Sequence, residues 1–221
     1  MKTLVQCDFD GTITEVDASF LILEEFARGD WHQVLKEHKE NKISVGEFNA
    51  RAFAMVKADE QTLLRTIKKR VWFRSGFNEL VTYCAARDFR LVIVSNGLDF
   101  YIKALLDDYK LGKVEWHAAE TVFKDGDMRV QYVGPGGVVL DDDFKKAYID
   151  LFLGQGYRVI YVGNGESDVI PAKHAHHVFA RDELLSYYHS NGLDCMPFEN
   201  FAEVIGDIDR LAAMWKATDI G

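Results

Sequence analysis

Residues 4–14 read LVQCDFDGTIT: a short apolar run, Leu4–Cys7, then two carboxylates, Asp8 and Asp10, with a glycine and two threonines close behind. Taking a carboxylate out of water is costly unless it is paired, so an acidic pair at the end of a buried strand needs a partner that holds its charge. Three further short runs have the same strand character: Leu91–Val94 before SNG, Val159–Val162 before GNG, and Val178–Ala180 before RDE. Each is too short for a helix, is rich in β-branched residues and adjoins a segment of helical periodicity. Strands alternating with helices predict an α/β fold, a Rossmann-like parallel sheet with helices on both faces. In such sheets ligands bind outside the carboxyl ends of the strands. The clusters DFDGT, SNG and GNGESD are therefore expected on one edge.

About eighty residues separate the first two strands, too many for one crossover helix. Amphipathic helices are expected in SFLILEEFARG, ended by Gly29, in WHQVLKEHKEN, after Ser44 with Glu47 as a capping box, and from Asp59 through DEQTLLRTIKKR. Residues 17–70 read as a small helical cap inserted after the first strand, and residues 1–16 and 71–221 as the α/β core. RSGFNELVTYCAAR is the helix that returns to that core. The segment VEWHAAETVFKDGDMRVQYVG reads as a hairpin turning at Gly126 and standing apart, GPGGV as a loop, and DELLSYYHSNG and FAEVIGDIDRLAAMWKA as helices on the sheet.

Composition sets bounds. The 221 residues suffice for a sizeable core, and 48% hydrophobic with 28% charged residues is ordinary for a globular enzyme. A formal net charge of −9 leaves no basic footprint for nucleic acid. Cys7, Cys84 and Cys195 lie far apart with no CxxC spacing, as reduced thiols do. No apolar run approaches the roughly 18 residues of a membrane span, and MKTLVQCDFD lacks a signal-peptide core. A cytoplasmic protein with no membrane partner is expected; oligomeric state is not readable from the sequence.

The motifs point to phosphate chemistry. Asp8 can act as a nucleophile, as carboxylates do in aspartyl-phosphate chemistry. Asp10, two residues on, points to the same side if the strand continues, and can give and take a proton. Gly11 allows a sharp turn, and the Thr12 hydroxyl and nearby N–H groups can hold anionic oxygens. The same stretch also fits a plain strand-end turn with Asp8 on the surface. Ser95, followed by Asn96 and Gly97 opening the next helix, suits a phosphate oxygen, or is an ordinary helix cap. Lys145 and Lys146 sit at a helix start, where cations oppose the dipole, so one of them calls for an anionic partner. Asn164, Glu166 and Asp168, beside Asp8 and the Asp10 carbonyl, offer oxygen ligands for Mg²⁺.

DFDGTIT, VIVSNG, the helix-start Lys145 and GNGESD, in this order, resemble the haloacid dehalogenase-like hydrolase superfamily. The helical insert resembles its phosphoserine phosphatase-like branch. DFDGTITEVD, VSNGLDFYI, FKKAYI, GNGESDVIPAKHAHHVFARDELL and PFENF look like the 2-hydroxy-3-keto-5-methylthiopentenyl-1-phosphate phosphatase group of methionine salvage and its uncharacterised relatives. The resemblance implies a Mg²⁺-dependent phosphatase of a small phosphorylated metabolite, with Asp8 as nucleophile and Asp10 as general acid and base. It implies phosphate binding by Gly11, Thr12, Ser95, Asn96, Gly97 and Lys145, and a metal held by Asp8, the Asp10 carbonyl and Asn164, with Asp168 in support. The family register selects Lys145 over Lys146. Where the family has aspartate this chain has Asn164, which supplies an oxygen but no charge; Asp168 or Glu166 is left to compensate.

Asp17 and Arg51 are candidate substrate contacts or ordinary surface charges. His174, His176 and His177 lack a nearby carboxylate ligand and read as a sheet-end cluster rather than a metal site. Trp31, Trp72, Trp116 and Trp215 read as packing residues. Candidate substrates are a methionine-salvage enol phosphate or phosphoserine-like compounds. The alternatives are a phosphotransferase using the same intermediate and a phospho-ligand-binding protein with weak turnover, of which Asn164 is the hint.

Overall fold

Leu4, Val5 and Cys7 are fully buried because β1 (Lys2–Cys7) runs through the middle of an eight-stranded sheet. The computed structural model describes residues 1–124 and 127–218, with side chains through Trp215. After β1 come four helices, α1 (Ala18–Phe26), α2 (Trp31–Lys39), α3 (Val45–Phe53) and α4 (Glu60–Arg70). They lead to α5 (Phe77–Ala86), β2 (Arg90–Leu98), α6 (Asp99–Asp108), β3 (Glu115–Lys124), β4 (Asp127–Val133) and β5 (Val139–Leu140). The chain ends with α7 (Phe144–Gly154), β6 (Tyr157–Gly163), α8 (Val169–Ala172), β7 (His177–Ala180), α9 (Asp182–Ser190), β8 (Met196–Pro197) and α10 (Phe201–Thr218).

The sheet order is β5-β4-β3-β2-β1-β6-β7-β8. β1 pairs in parallel with β2 on one side and β6 on the other, so the order reverses at β1 and the carboxyl ends of these three strands flank one crevice. The expected α/β sheet is present, as are all four predicted strands. The hairpin does not stand apart. β3 pairs in parallel with β2 and β4 runs antiparallel to β3, extending the same sheet. Its turn, expected at Gly126, lies outside the described residues. The two-residue strands β5 and β8 went unread, being too short to carry a period.

The four helices after β1 start where side-chain oxygens can take orphan N–H groups. Asp17 accepts from Phe20 at 2.8 Å, Asp30 from Gln33 at 3.0 Å, Ser44 from Glu47 at 3.0 Å and Asp59 from Thr62 at 2.7 Å. Two details differ from expectation. α1 stops at Phe26 rather than at Gly29, because Ala27 turns extended and bridges Val56. The Glu47 carboxylate does not complete a capping box but accepts from Arg51 at 3.3 Å. The insert leaves and rejoins the core through one neck, where Thr14 bridges Phe73.

Of the tryptophans, Trp31 is buried but Trp72 is exposed, against the packing role expected of it. His176 accepts from the Val159 N–H at 3.1 Å, the sheet-end role expected of that cluster. Among the described residues no helix is long and apolar enough to cross a membrane.

Candidate active site

β1 delivers Asp8 to the crevice, and its N–H donates to the Val162 carbonyl at 2.9 Å, carrying the β1–β6 ladder one residue further. The chain then winds tightly, with the Thr12, Ile13 and Thr14 N–H groups all directed at the Phe9 carbonyl. Gly11 adopts φ +74°, and a Cβ there would run into the Asn164 amide, so glycine is required on both counts. Arg74 fixes the outer side of this loop. Its buried guanidinium donates to the carbonyls of Thr12 at 2.9 Å and Gly11 at 3.0 Å, and pairs with Glu15 at 2.9 Å.

Asp8 meets Lys145, whose Nζ lies 2.9 Å from Asp8 Oδ1 and 2.6 Å from Asp168 Oδ1. Lys145 is 3% exposed and Asp168 0%. Burial works against the ammonium, but the Asp168 and Asp8 carboxylates outweigh it and hold its pKa above the ordinary lysine range. Lys146, one residue on, faces outward to Asp150 at 2.5 Å. Asp168 has no free acceptor position: beside Lys145 it takes the Tyr161 hydroxyl at 2.7 Å, and its other oxygen takes the Asn164 and Gly165 N–H groups at 2.9 Å each. The Asp168 acceptors are thus taken up in supporting Lys145 and the 163–165 turn.

Asp10 accepts from the Ala18 N–H at 3.0 Å and from the Tyr101 hydroxyl, with Ser19 at 3.5 Å. Burial first, then the Asp17 charge, hold its pKa well above the carboxylate range. Burial and the Asp168 charge push Asp8 up to about 7 against the pull of Lys145. Both carboxylates are thus held above the ordinary range, each by its own surroundings.

These groups open on a cleft of about 410 Å³ lined by Asp8, Asp10, Ser95, Asn96, Gly97, Lys145 and Asn164 from the core, with Asp17, Phe20, His38 and Phe48 on the side of the four helices. Ser95 is buried and accepts from the Gly97 N–H at 3.0 Å. It is not a helix cap. β2 runs on through Leu98 and α6 begins at Asp99, so SNG is extended chain rather than a helix start.

Two expectations fail on geometry, and Arg51 takes its surface reading. The Thr12 hydroxyl is buried and donates to Asn164 Oδ1 at 2.8 Å, and the Gly11 N–H donates to Thr14 Oγ1 at 3.1 Å. Both residues shape the loop, and unlike Ser95 and Gly97 neither lines the cleft. Arg51 lies off the cleft, paired with Glu37 at 2.8 Å and Glu47 at 3.3 Å. Asp17 does line the cleft, while its carboxylate caps α1.

Among the described residues no three His, Cys, Asp or Glu side chains converge as a metal cage. Asp8, Asp10 and Asn164 line the cleft together, the Asn164 amide drawn in by Thr12. All are hard donors, and that set fits Mg²⁺ better than a transition metal.

Arg74, Tyr101, Asn49 and Tyr132 went unread in the sequence. Each lies far along the chain from the group it holds, and only Tyr101 falls within a quoted motif, VSNGLDFYI, where nothing gave it a role.

Comparison with known proteins agrees with this geometry. Residues 5–170 match the family model described as haloacid dehalogenase-like hydrolase. The chain is 30% identical to a 2-hydroxy-3-keto-5-methylthiopentenyl-1-phosphate phosphatase of Geobacillus kaustophilus, covering 93% of this chain and 94% of that protein. It is 29% identical to Pdp3-interacting factor 1 of Schizosaccharomyces pombe, covering 92% and 93%. A solved phosphoserine phosphatase, determined as a phospho-aspartyl intermediate analogue, superposes with a TM-score of 0.69 at 20% identity, covering 93% of this chain and 98% of that one.

Proposed function

The chain belongs to the haloacid dehalogenase-like hydrolase family and is a phosphatase of it, and on that premise we propose that it hydrolyses a small phosphomonoester through a phospho-aspartyl intermediate on Asp8, with Mg²⁺ bound. The observation that carries the reading is the buried Asp8–Lys145–Asp168 line at the end of β1, with Asp10 beside it in the same cleft.

Asp8 attacks phosphorus as the bond to the leaving oxygen breaks, and Asp10 gives its proton to that oxygen. Burial and the Asp17 charge favour the protonated Asp10 that this step needs. Asp10 then takes a proton from water as the water attacks the phospho-aspartate, which releases phosphate and restores Asp8. Lys145, Ser95 and the Gly97 N–H hold the equatorial oxygens and stabilise the charge that spreads over them. Asp8, the Asp10 carbonyl and Asn164 would hold Mg²⁺, which when bound neutralises charge between the Asp8 carboxylate and the phosphoryl group. The helices of residues 17–70 act as a cap that excludes water and selects the leaving group.

The methionine-salvage enol phosphate is the first substrate to test, since the 30% relative carries that name, and phosphoserine the second. The three cysteines are free, in keeping with a cytoplasmic setting. Phosphate release from p-nitrophenyl phosphate and from these two compounds tests the reading. Turnover is expected with Mg²⁺, lost in EDTA and abolished by Asp8→Asn. Tight binding of phosphate without turnover would instead make the chain a phospho-ligand-binding protein, and phosphoryl transfer to added alcohols in preference to water would make it a transferase.

A further inference from the structure

The Asn96 carbonyl and the Gly97 N–H are two ends of one peptide unit, planar and trans, so they point in opposite directions. The N–H end donates to Ser95 Oγ at 3.0 Å, on the side of the phosphate groups. The carbonyl end is held from the other side by the Tyr132 hydroxyl at 2.6 Å and by Asn49 Nδ2 at 3.3 Å. Asn49 also donates to the Tyr132 hydroxyl, and both residues are buried, 5% and 2% exposed. An X–Gly peptide turns over easily, because glycine tolerates either sign of φ, unless its carbonyl is fixed.

Asn49 comes from α3 in the cap and Tyr132 from β4 in the core. One turn earlier on α3, the Val45 N–H donates to the Asp142 carboxylate at 2.9 Å and the Gly46 N–H to the Asp141 carbonyl at 2.7 Å. A Cβ on Gly46 would lie 2.7 Å from that carbonyl oxygen, so only glycine allows this close seat. Asp142 stands three residues before Lys145. Residues 45–49 of the cap thus touch both core segments that carry phosphate donors.

We propose that Asn49, together with Tyr132, is a positioning residue that locks the plane of the Asn96–Gly97 peptide and so aims the Gly97 N–H at a phosphoryl oxygen only while α3 is seated on the core, a role that rests on the phosphatase reading above. The cap then does more than cover the cleft: its docking completes the phosphate site.

The test uses the full chain with Mg²⁺ and four proteins: wild type, Asn49→Leu, Tyr132→Phe and the double variant. Asn49→Leu keeps the volume and removes the donor. Losing an oxyanion donor outright costs about 10²–10³ in kcat, so a misaimed one is expected to cost about 50-fold in the double variant. Either partner alone still holds the carbonyl, so each single variant is expected to lose about fivefold, less than independent sites would give. Inorganic phosphate affinity, read by calorimetry without turnover, should weaken in the same order. A double variant that folds yet keeps kcat/KM and phosphate affinity within about twofold overturns the assignment. Should Asn49→Leu fail to fold, an unchanged phosphate affinity in Tyr132→Phe overturns it alone. Absence of turnover in the wild type would refute the phosphatase reading, while the calorimetric series would still decide the role of Asn49.

Discussion

Asp168→Asn keeps the outline of the most buried carboxylate and removes its charge with half of its acceptors. In the native protein one oxygen takes Lys145 at 2.6 Å and the Tyr161 hydroxyl at 2.7 Å, and the other takes two backbone N–H groups at 2.9 Å. Asparagine has one acceptor oxygen and two donors. With its oxygen on the backbone pair, its amino group faces the Lys145 ammonium, donor against donor. The opposite orientation strands both N–H groups. The first arrangement costs less, because the Tyr161 hydroxyl can rotate to accept and Lys145 keeps Asp8. Removing one partner of a buried ion pair costs about 3–5 kcal/mol, a large part of the roughly 5–15 kcal/mol that holds a domain folded. For a chain of this size each kcal/mol lowers Tm by about 2–4 °C, so a fall of about 6–20 °C is expected. Urea unfolding in EDTA measures the first figure and thermal unfolding the second. EDTA separates the two roles open to Asp168. A supporting residue destabilises the metal-free protein when replaced, whereas a metal ligand does so only with Mg²⁺ present. A loss below about 1 kcal/mol in EDTA would refute the supporting role and return Asp168 to the metal.

Lys145→Met should lower kcat by about 10²–10³-fold, while Lys146→Met, which breaks only the exposed pair with Asp150, should stay within about twofold; equal losses on p-nitrophenyl phosphate would contradict the geometry. Gly97→Ala would push a Cβ into the Tyr101 hydroxyl and the Asp10 carboxylate, so about a 10²-fold loss of kcat is expected with unchanged circular dichroism. In EDTA, burial and the Asp168 charge hold folded Asp8 up at about 7, so from the ordinary carboxylate range up to there the folded state carries a proton that the unfolded state has lost. Stability therefore falls as pH rises through that window. Asp8→Asn, which cannot titrate, should lose less stability than wild type between about pH 4 and 7, and a steeper loss in the variant would falsify the assignment.

The parts of the site legible in the sequence were those carried by strand ends. Asp8, Ser95 and Asn164 each follow an apolar run, and parallel strands bring their carboxyl ends together whatever the intervening length. A helix-start lysine was legible because a cation there is out of place without an anion, but it took the family register to choose Lys145 over Lys146. Donor direction was not legible. Thr12 and Gly11 have suitable chemistry, but the winding around the Phe9 carbonyl turns their donors to Asn164 and Thr14. Nor was the grip of Arg74, Tyr101 and Asn49 on distant groups, since such contacts follow from packing and not from any local pattern. Arg51 was left between substrate contact and surface charge because a charge on the insert says nothing of which face it occupies.

Asn164 is where two requirements on this cluster oppose each other. Its backbone N–H is bound to Asp168 and its side chain accepts from Thr12, at the edge of a group that already holds Asp8 and Asp168 against Lys145. A neutral amide adds an oxygen there without adding repulsion, so the metal-free cluster assembles at lower cost. A carboxylate in its place would still accept from Thr12, but its charge would be a further anion beside Asp8. Asn164→Asp should therefore do opposite things in two conditions. In EDTA the variant is expected to be less stable than wild type, by roughly 1–2 kcal/mol from like charges in a medium of intermediate dielectric. With Mg²⁺ the added charge should tighten binding by on the order of tenfold, since ligand charge sets the affinity of oxygen sites. Urea unfolding at several Mg²⁺ concentrations reads both effects, and the curves of variant and wild type should cross. If the variant is weaker at every concentration, Asn164 does not face the metal, and Asp8 has to hold it with other oxygens.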